Sequence, residues 1–133
     1  MKIWRIAQDF YRGNVSGETK RIPDIFPSAK GKLFVARNID SAKNYGSEIN
    51  TYRASSDAKI LYEDSKEFWK MIGRRQPPNK YLGSALKEGE TLIDLIDLSI
   101  QMAITRGYDA ISFLSDTNIG TVIINDKAFE RIS

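Results

Sequence analysis

The chain has 133 residues, 41% hydrophobic and 28% charged, with 20 Lys and Arg against 17 Asp and Glu for a net charge of +3. That length and balance fit one domain with its own hydrophobic core, spanning 1–133. The chain contains no His and no Cys. Their absence excludes Ser-His-acid triads, Cys-His pairs, His metal sites, zinc ribbons and disulfides, and leaves carboxylates, Arg, Lys, Tyr, Ser and Thr for any catalysis.

No run of about 18 apolar residues occurs, and the N-terminus lacks the long apolar segment of a secretory signal. A cytoplasmic protein with no membrane partner and no metal is therefore expected.

In chain order, Lys2 to Ile6 reads as a first strand, with Ile3 and Arg5 on one face and Trp4 and Ile6 on the other. Gly13 to Lys32 is rich in Gly, Pro, Ser and charge and reads as a long loop of the functional or mobile kind. Lys32 to Ala36 reads as a strand, followed by a short helix capped by Asp40 or Ser41, running through Tyr45 and stopped by Gly46. Ile49 to Ala54 and Ala58 to Tyr62 read as strands. Ser65 to Ile72 reads as a helix ended by Gly73.

The clearest element starts at Thr91. Leu92, Leu95, Ile96, Ile100, Ala103 and Ile104 recur at helical spacing, with Asp94, Asp97, Gln101 and Thr105 opposite them. Thr91 and Asp94 form a capping-box pattern, and Gly107 stands where a left-handed cap belongs. Ala110 to Leu114 and Thr121 to Ile124 are the expected partner strands, and Asp126 caps a final turn. Strands and short helices follow one another without βαβ alternation, which predicts an α+β fold. No Gly-rich phosphate loop is present. Lys66, Lys70, Arg74, Arg75 and Lys80 concentrate positive charge mid-chain, as a nucleic-acid patch or a solvated helix face would.

The order of Lys2 to Ile6, Phe10-Tyr11-Arg12-Gly13, Leu33-Phe34-Val35-Ala36, Asp40 to Gly46, Gly107-Tyr108-Asp109 and Thr121 to Ile124 resembles the small ADP-ribosyltransferase domains of bacteria and phages. The resemblance implies two small packed β-sheets with flanking helices around a cleft that holds NAD as substrate. It further implies an Arg or His on the first strand at the adenosine or phosphate part of NAD, filled by Arg5 with Arg12 as competitor. A residue of the second strand packs near the nicotinamide, and Phe34 holds that slot. The helix ending at Tyr45 follows, and Tyr45 joins the cofactor-binding set.

An acid near the last strands is implied as the catalytic group. Gly120 and Thr121 occupy the position where relatives carry Glu, so Asp116 in the preceding loop takes the role, with Glu88, Glu90, Asp109 and Asp126 next in line. The residue types suit the chemistry. Departure of nicotinamide leaves an oxocarbenium-like centre that a carboxylate stabilises, a guanidinium grips phosphate bidentately, and an aromatic ring stacks on a flat heterocycle.

The implied function is mono-ADP-ribosylation of a host protein or nucleic acid by a phage or mobile-element effector. Two alternatives stand beside it. One is a catalytically inactive binding or inhibitor module on the same scaffold. The other is a basic nucleic-acid-binding protein acting through Lys70, Arg74 and Arg75.

Overall fold

The computed structural model describes residues 9–14, 25–44, 46–113 and 120–132. The expected first strand at Lys2 to Ile6 lies outside them. Seven strands are described: β1 (Asp9–Asn14), β2 (Leu33–Val35), β3 (Glu48–Ala54), β4 (Ile60–Tyr62), β5 (Ala110–Ser112), β6 (Thr121–Ile123) and β7 (Phe129–Arg131). They form two sheets in the orders β1-β3-β7 and β2-β6-β5-β4. All pairs are antiparallel except β4 and β5. A parallel pair needs a crossover, and helices α2 (Lys66–Ile72) and α3 (Leu92–Thr105) lie in it. The expected α+β class with two small sheets is what the chain adopts.

The helices form where the caps direct. In α3, Thr91 accepts from the Asp94 amide and Asp94 reaches back to the Thr91 amide, closing the capping box. Gly107 follows the helix with φ 78°, a conformation a side chain disfavours. Ser65 caps α2, and Gly73 ends it in the left-handed region. The short helix α1 (Ile39–Lys43) is capped by Asn38, whose side chain accepts from the Ser41 amide. Neither Asp40 nor Ser41 serves as its cap, and its last helical residue is Lys43. Asn125, one residue before Asp126, caps the final 3-10 turn.

The four-stranded sheet separates two cores, as strand alternation requires. Leu61, Ile111 and Val122 face one side and pack with Phe68, Trp69, Met71 and Ile72 of α2 and Leu95, Ile96, Ile100 and Ala103 of α3. Ile104 falls outside this stripe and is exposed. Leu33, Val35, Ile60 and Ile123 face the other side and meet Phe10, Tyr52, Ala54 and Phe129 of the three-stranded sheet.

The two sheets are also joined by backbone. Tyr11 N–H donates to Ala36 O at 2.8 Å and Ala36 N–H to Tyr11 O at 2.7 Å, a single antiparallel bridge between the start of each sheet. Gly13 is dictated by α1. A Cβ there would overlap the Ala42 carbonyl oxygen, so helix backbone rests directly on β1.

β1 begins the stretch that composition marks as the border of a loop, and a 3-10 turn at Pro27–Ala29 lies within that expected loop. This turn is anchored by Asp97 of α3, which accepts from Ser28 N–H at 2.9 Å and from its hydroxyl at 3.1 Å.

Candidate functional site

The site grows from one cross-strand row. The registers Val35↔Thr121, Ser112↔Thr121 and Tyr62↔Ser112 line up Val35, Thr121, Ser112 and Tyr62 across all four strands of the larger sheet. The parallel row Leu33, Ile123, Ala110 and Ile60 is apolar and belongs to the core between the sheets. One step toward the strand ends, that core gives way to hydroxyls. Ser112 and Thr121 are both fully buried, and their hydroxyl oxygens are 2.7 Å apart.

Arg37 lies two residues beyond Val35 and extends over this row. Its Nε donates to Ser112 Oγ at 2.7 Å, and its guanidinium carbon stands 5.0 Å from the centre of the Tyr62 ring. The ring fixes the cation by cation–π attraction. Burial raises the Tyr62 phenol pKa above its ordinary value, and the facing Arg37 charge partly offsets this. Nη2 of Arg37 is shielded from solvent and has no hydrogen-bond partner. A buried donor left so costs about 1–3 kcal/mol and calls for an explanation, a bound water or ion being one kind.

Two further features border the row. Glu63 follows Tyr62, donates its amide to Ser112 O at 2.9 Å, and is the one carboxylate fully buried among the described residues. Phe113 N–H donates to Gly120 O at 2.8 Å, which holds the ends of β5 and β6 together.

Of the residues expected from sequence, Arg5, Tyr45 and Asp116 lie outside the described residues. Arg12 lies on β1 opposite Asn50 of β3, and alternation gives it the face of Phe10. Phe34 is half-buried and packs against the core beneath α2 and α3, on the face opposite Ser112 and Thr121. The β2 residue that meets the hydroxyl row is Val35.

Of the reserve acids, Asp109 and Glu90 are held structurally, while Glu88 and Asp126 are exposed. Asp109 accepts from the Lys59 amide at 2.8 Å and from Asn125 Nδ2 at 3.1 Å, stitching β4, β5 and the end of β6 together. Glu90 pairs with Arg74 through two oxygens, one of them 2.7 Å from Nη2. That bond, chiefly, holds the Glu90 carboxyl at about 2. Arg74 also donates to Ala85 O at 3.0 Å, so it ties two loops together and is largely removed from the exposed basic patch.

Sequence reasoning passed over Arg37, Tyr62, Ser112 and Thr121. The available signal was a hydroxyl inside each of two apolar strands, at Ser112 within Ala110-Ile111-Ser112-Phe113 and at Thr121 before Val122. A buried hydroxyl needs a partner, which only the sheet register supplies.

Among the described residues, no group of three or more His, Cys, Asp or Glu is arranged to hold a metal, and no helix is long and apolar enough to cross a membrane. No protein-family model matches the chain, and no curated protein matches it in sequence. Among solved structures, that of an anti-CRISPR protein is similar over 96% of both chains, with a TM-score of 0.53 at 14% identity. At that identity the likeness shows a shared fold and nothing finer.

Proposed function

We propose that this chain is a mono-ADP-ribosyltransferase that uses NAD to modify a macromolecular target, in the manner of a phage or mobile-element effector. The observation that carries the reading is the donor-rich row of Arg37, Ser112 and Thr121 where the core between the sheets ends. A positive, partly desolvated donor cluster favours an anionic ligand. The motif order supports the same reading, since Tyr11-Arg12-Gly13 is on β1 and α1 follows β2.

In the reaction, the bond from ribose C1′ to the nicotinamide nitrogen breaks, and nicotinamide leaves with the bonding pair. An acceptor nucleophile forms the new bond to C1′ and gives up its proton to water. Asp116 stabilises the cationic ribose between those events. The likeness to a protein described as an anti-CRISPR protein makes components of CRISPR complexes the first acceptors to test.

A second reading, a stoichiometric inhibitor on the same scaffold, is favoured by one observation. Gly120 has φ 79°, and a Cβ there would lie 2.6 Å from Val35 O, while Thr121 is fully buried. The strand position that carries Glu in relatives is thus closed to a carboxylate.

The deciding experiment incubates the protein with labelled NAD and purified CRISPR effector complexes or a bacterial lysate. Label transferred to an acceptor, with nicotinamide released, is the expected result. No transfer to any acceptor, together with no NAD binding by calorimetry, sinks the transferase and leaves the inhibitor.

A further inference from the structure

We infer that Arg37, Ser112 and Thr121 form an anion subsite that takes a phosphate oxygen, and that its occupant is the diphosphate bridge of the dinucleotide. The second half of that statement rests on the transferase reading; the first does not. A count of donors carries the inference. Arg37 Nε–H, the Ser112 hydroxyl and the Thr121 hydroxyl bring three protons to the cluster. Two are consumed internally, by Arg37 Nε to Ser112 Oγ at 2.7 Å and by the hydroxyl pair at 2.7 Å. Whichever hydroxyl donates to the other, one hydroxyl proton remains over.

The Arg37 Nη2 donors remain as well, shielded and without a partner. Nη2 lies on the same edge of the guanidinium as Nε, so an acceptor bound to Nη2 sits beside Ser112 Oγ. A cluster with surplus donors, a fixed positive charge and, among the described residues, no carboxylate on Arg37 selects an acceptor-only anion. Phosphate fits best, because its oxygens can accept from Nη2 beside the guanidinium charge of the part-exposed Arg37, while the fully buried Ser112 and Thr121 hydroxyls hold Nε in place. The Tyr62 ring holds the guanidinium in place before a ligand arrives, so little ordering is required on binding.

None of the residues that the family resemblance nominated belongs to this subsite. Arg37 follows the second strand, and the two hydroxyls come from the last pair of strands of the larger sheet.

Calorimetry with ADP-ribose, inorganic pyrophosphate and nicotinamide riboside, which has no phosphate, tests it. Wild-type protein is expected to bind ADP-ribose, with pyrophosphate competing. Arg37→Gln is expected to weaken ADP-ribose at least tenfold while leaving any binding of nicotinamide riboside unchanged. Arg37→Lys keeps the charge without the fork and is expected to fall between the two, which covers the case in which Arg37→Gln does not fold. Ser112→Ala is expected to weaken ADP-ribose because it removes the contact that positions the Arg37 guanidinium.

A folded Arg37→Gln with wild-type affinity for ADP-ribose overturns the subsite, whatever the transfer assay shows. Failure of the wild type to bind both ADP-ribose and pyrophosphate overturns it too. Arg37-dependent binding without any ADP-ribosyl transfer leaves the subsite standing and removes the transferase reading.

Discussion

Arg37 Nε and Ser112 Oγ meet at 2.7 Å although 75 positions separate them in the chain. The bond joins the exit of β2 to the end of β5, and Thr121 of β6 completes it through Ser112. Three of the four strands of the larger sheet, β2, β5 and β6, must therefore be in register for the cluster to exist.

Thr121→Val keeps the shape of the side chain and removes its hydroxyl. Ser112 retains Arg37 as a partner, so the expected cost is that of one hydrogen bond, about 1 kcal/mol. Urea unfolding measures it. A cost near zero would mean that the hydroxyl pair contributes nothing to register.

Gly13→Ala forces a Cβ onto the Ala42 carbonyl. Helix α1 must then lift from β1, with an expected loss of about 1–3 kcal/mol as in other overpacked sites. Thermal unfolding of the two proteins compares them, and an unchanged midpoint would contradict the close approach of α1.

Glu90→Gln removes the ion pair with Arg74. The expected loss at pH 7 is about 1–3 kcal/mol, as for a charge-assisted hydrogen bond. The folded carboxyl sits at about 2, below its ordinary value of 4.5, so the unfolded chain takes up a proton first as pH falls. The stabilisation is therefore complete above about 4.5 and fades as pH drops toward about 2. Unfolding curves at pH 7, 4 and 3 should show wild type and variant converging, and a gap that stays constant would refute the pairing.

Leu95 is fully buried and Ile96 nearly so, beneath the sheet. Replacing either by Ala is expected to cost about 2–5 kcal/mol by cavity formation. Exposed Ile104 on the same helix is the control, and Ile104→Ala should change stability by less than about 1 kcal/mol.

Under the transferase reading, Asp116→Ala is expected to lower turnover about a hundredfold or more, because the carboxylate acts on the developing cation. Stability should change by less than about 0.5 kcal/mol. Transfer of labelled ADP-ribose is the readout. Activity retained in Asp116→Ala and lost in a folded Glu63→Gln would move the role to the buried acid beside Ser112.

Local chemistry was enough to read the helices. Thr91 with Asp94, Ser65, Gly73 and Gly107 act within a few residues of themselves, so α2 and α3 were legible, as were the apolar runs of β2, β5 and β6. The α+β class followed from their order. β1 and β7 were not legible. Asp9–Asn14 and Phe129–Arg131 show no apolar alternation and become strands because β3 lies between them and supplies hydrogen bonds to both.

The same reason separates Phe34 from Val35. The chain marks both as apolar residues of one strand, but only pairing with β6 and the placement of α2 and α3 sends Phe34 into the helix-covered core and Val35 to the hydroxyl row. Gly13 is a turn former by composition, yet the packing of α1 makes it a contact point. Arg37, Ser112, Thr121 and Tyr62 are unremarkable in the chain because hydrogen bonds between strands depend on register, and register is a property of the folded sheet.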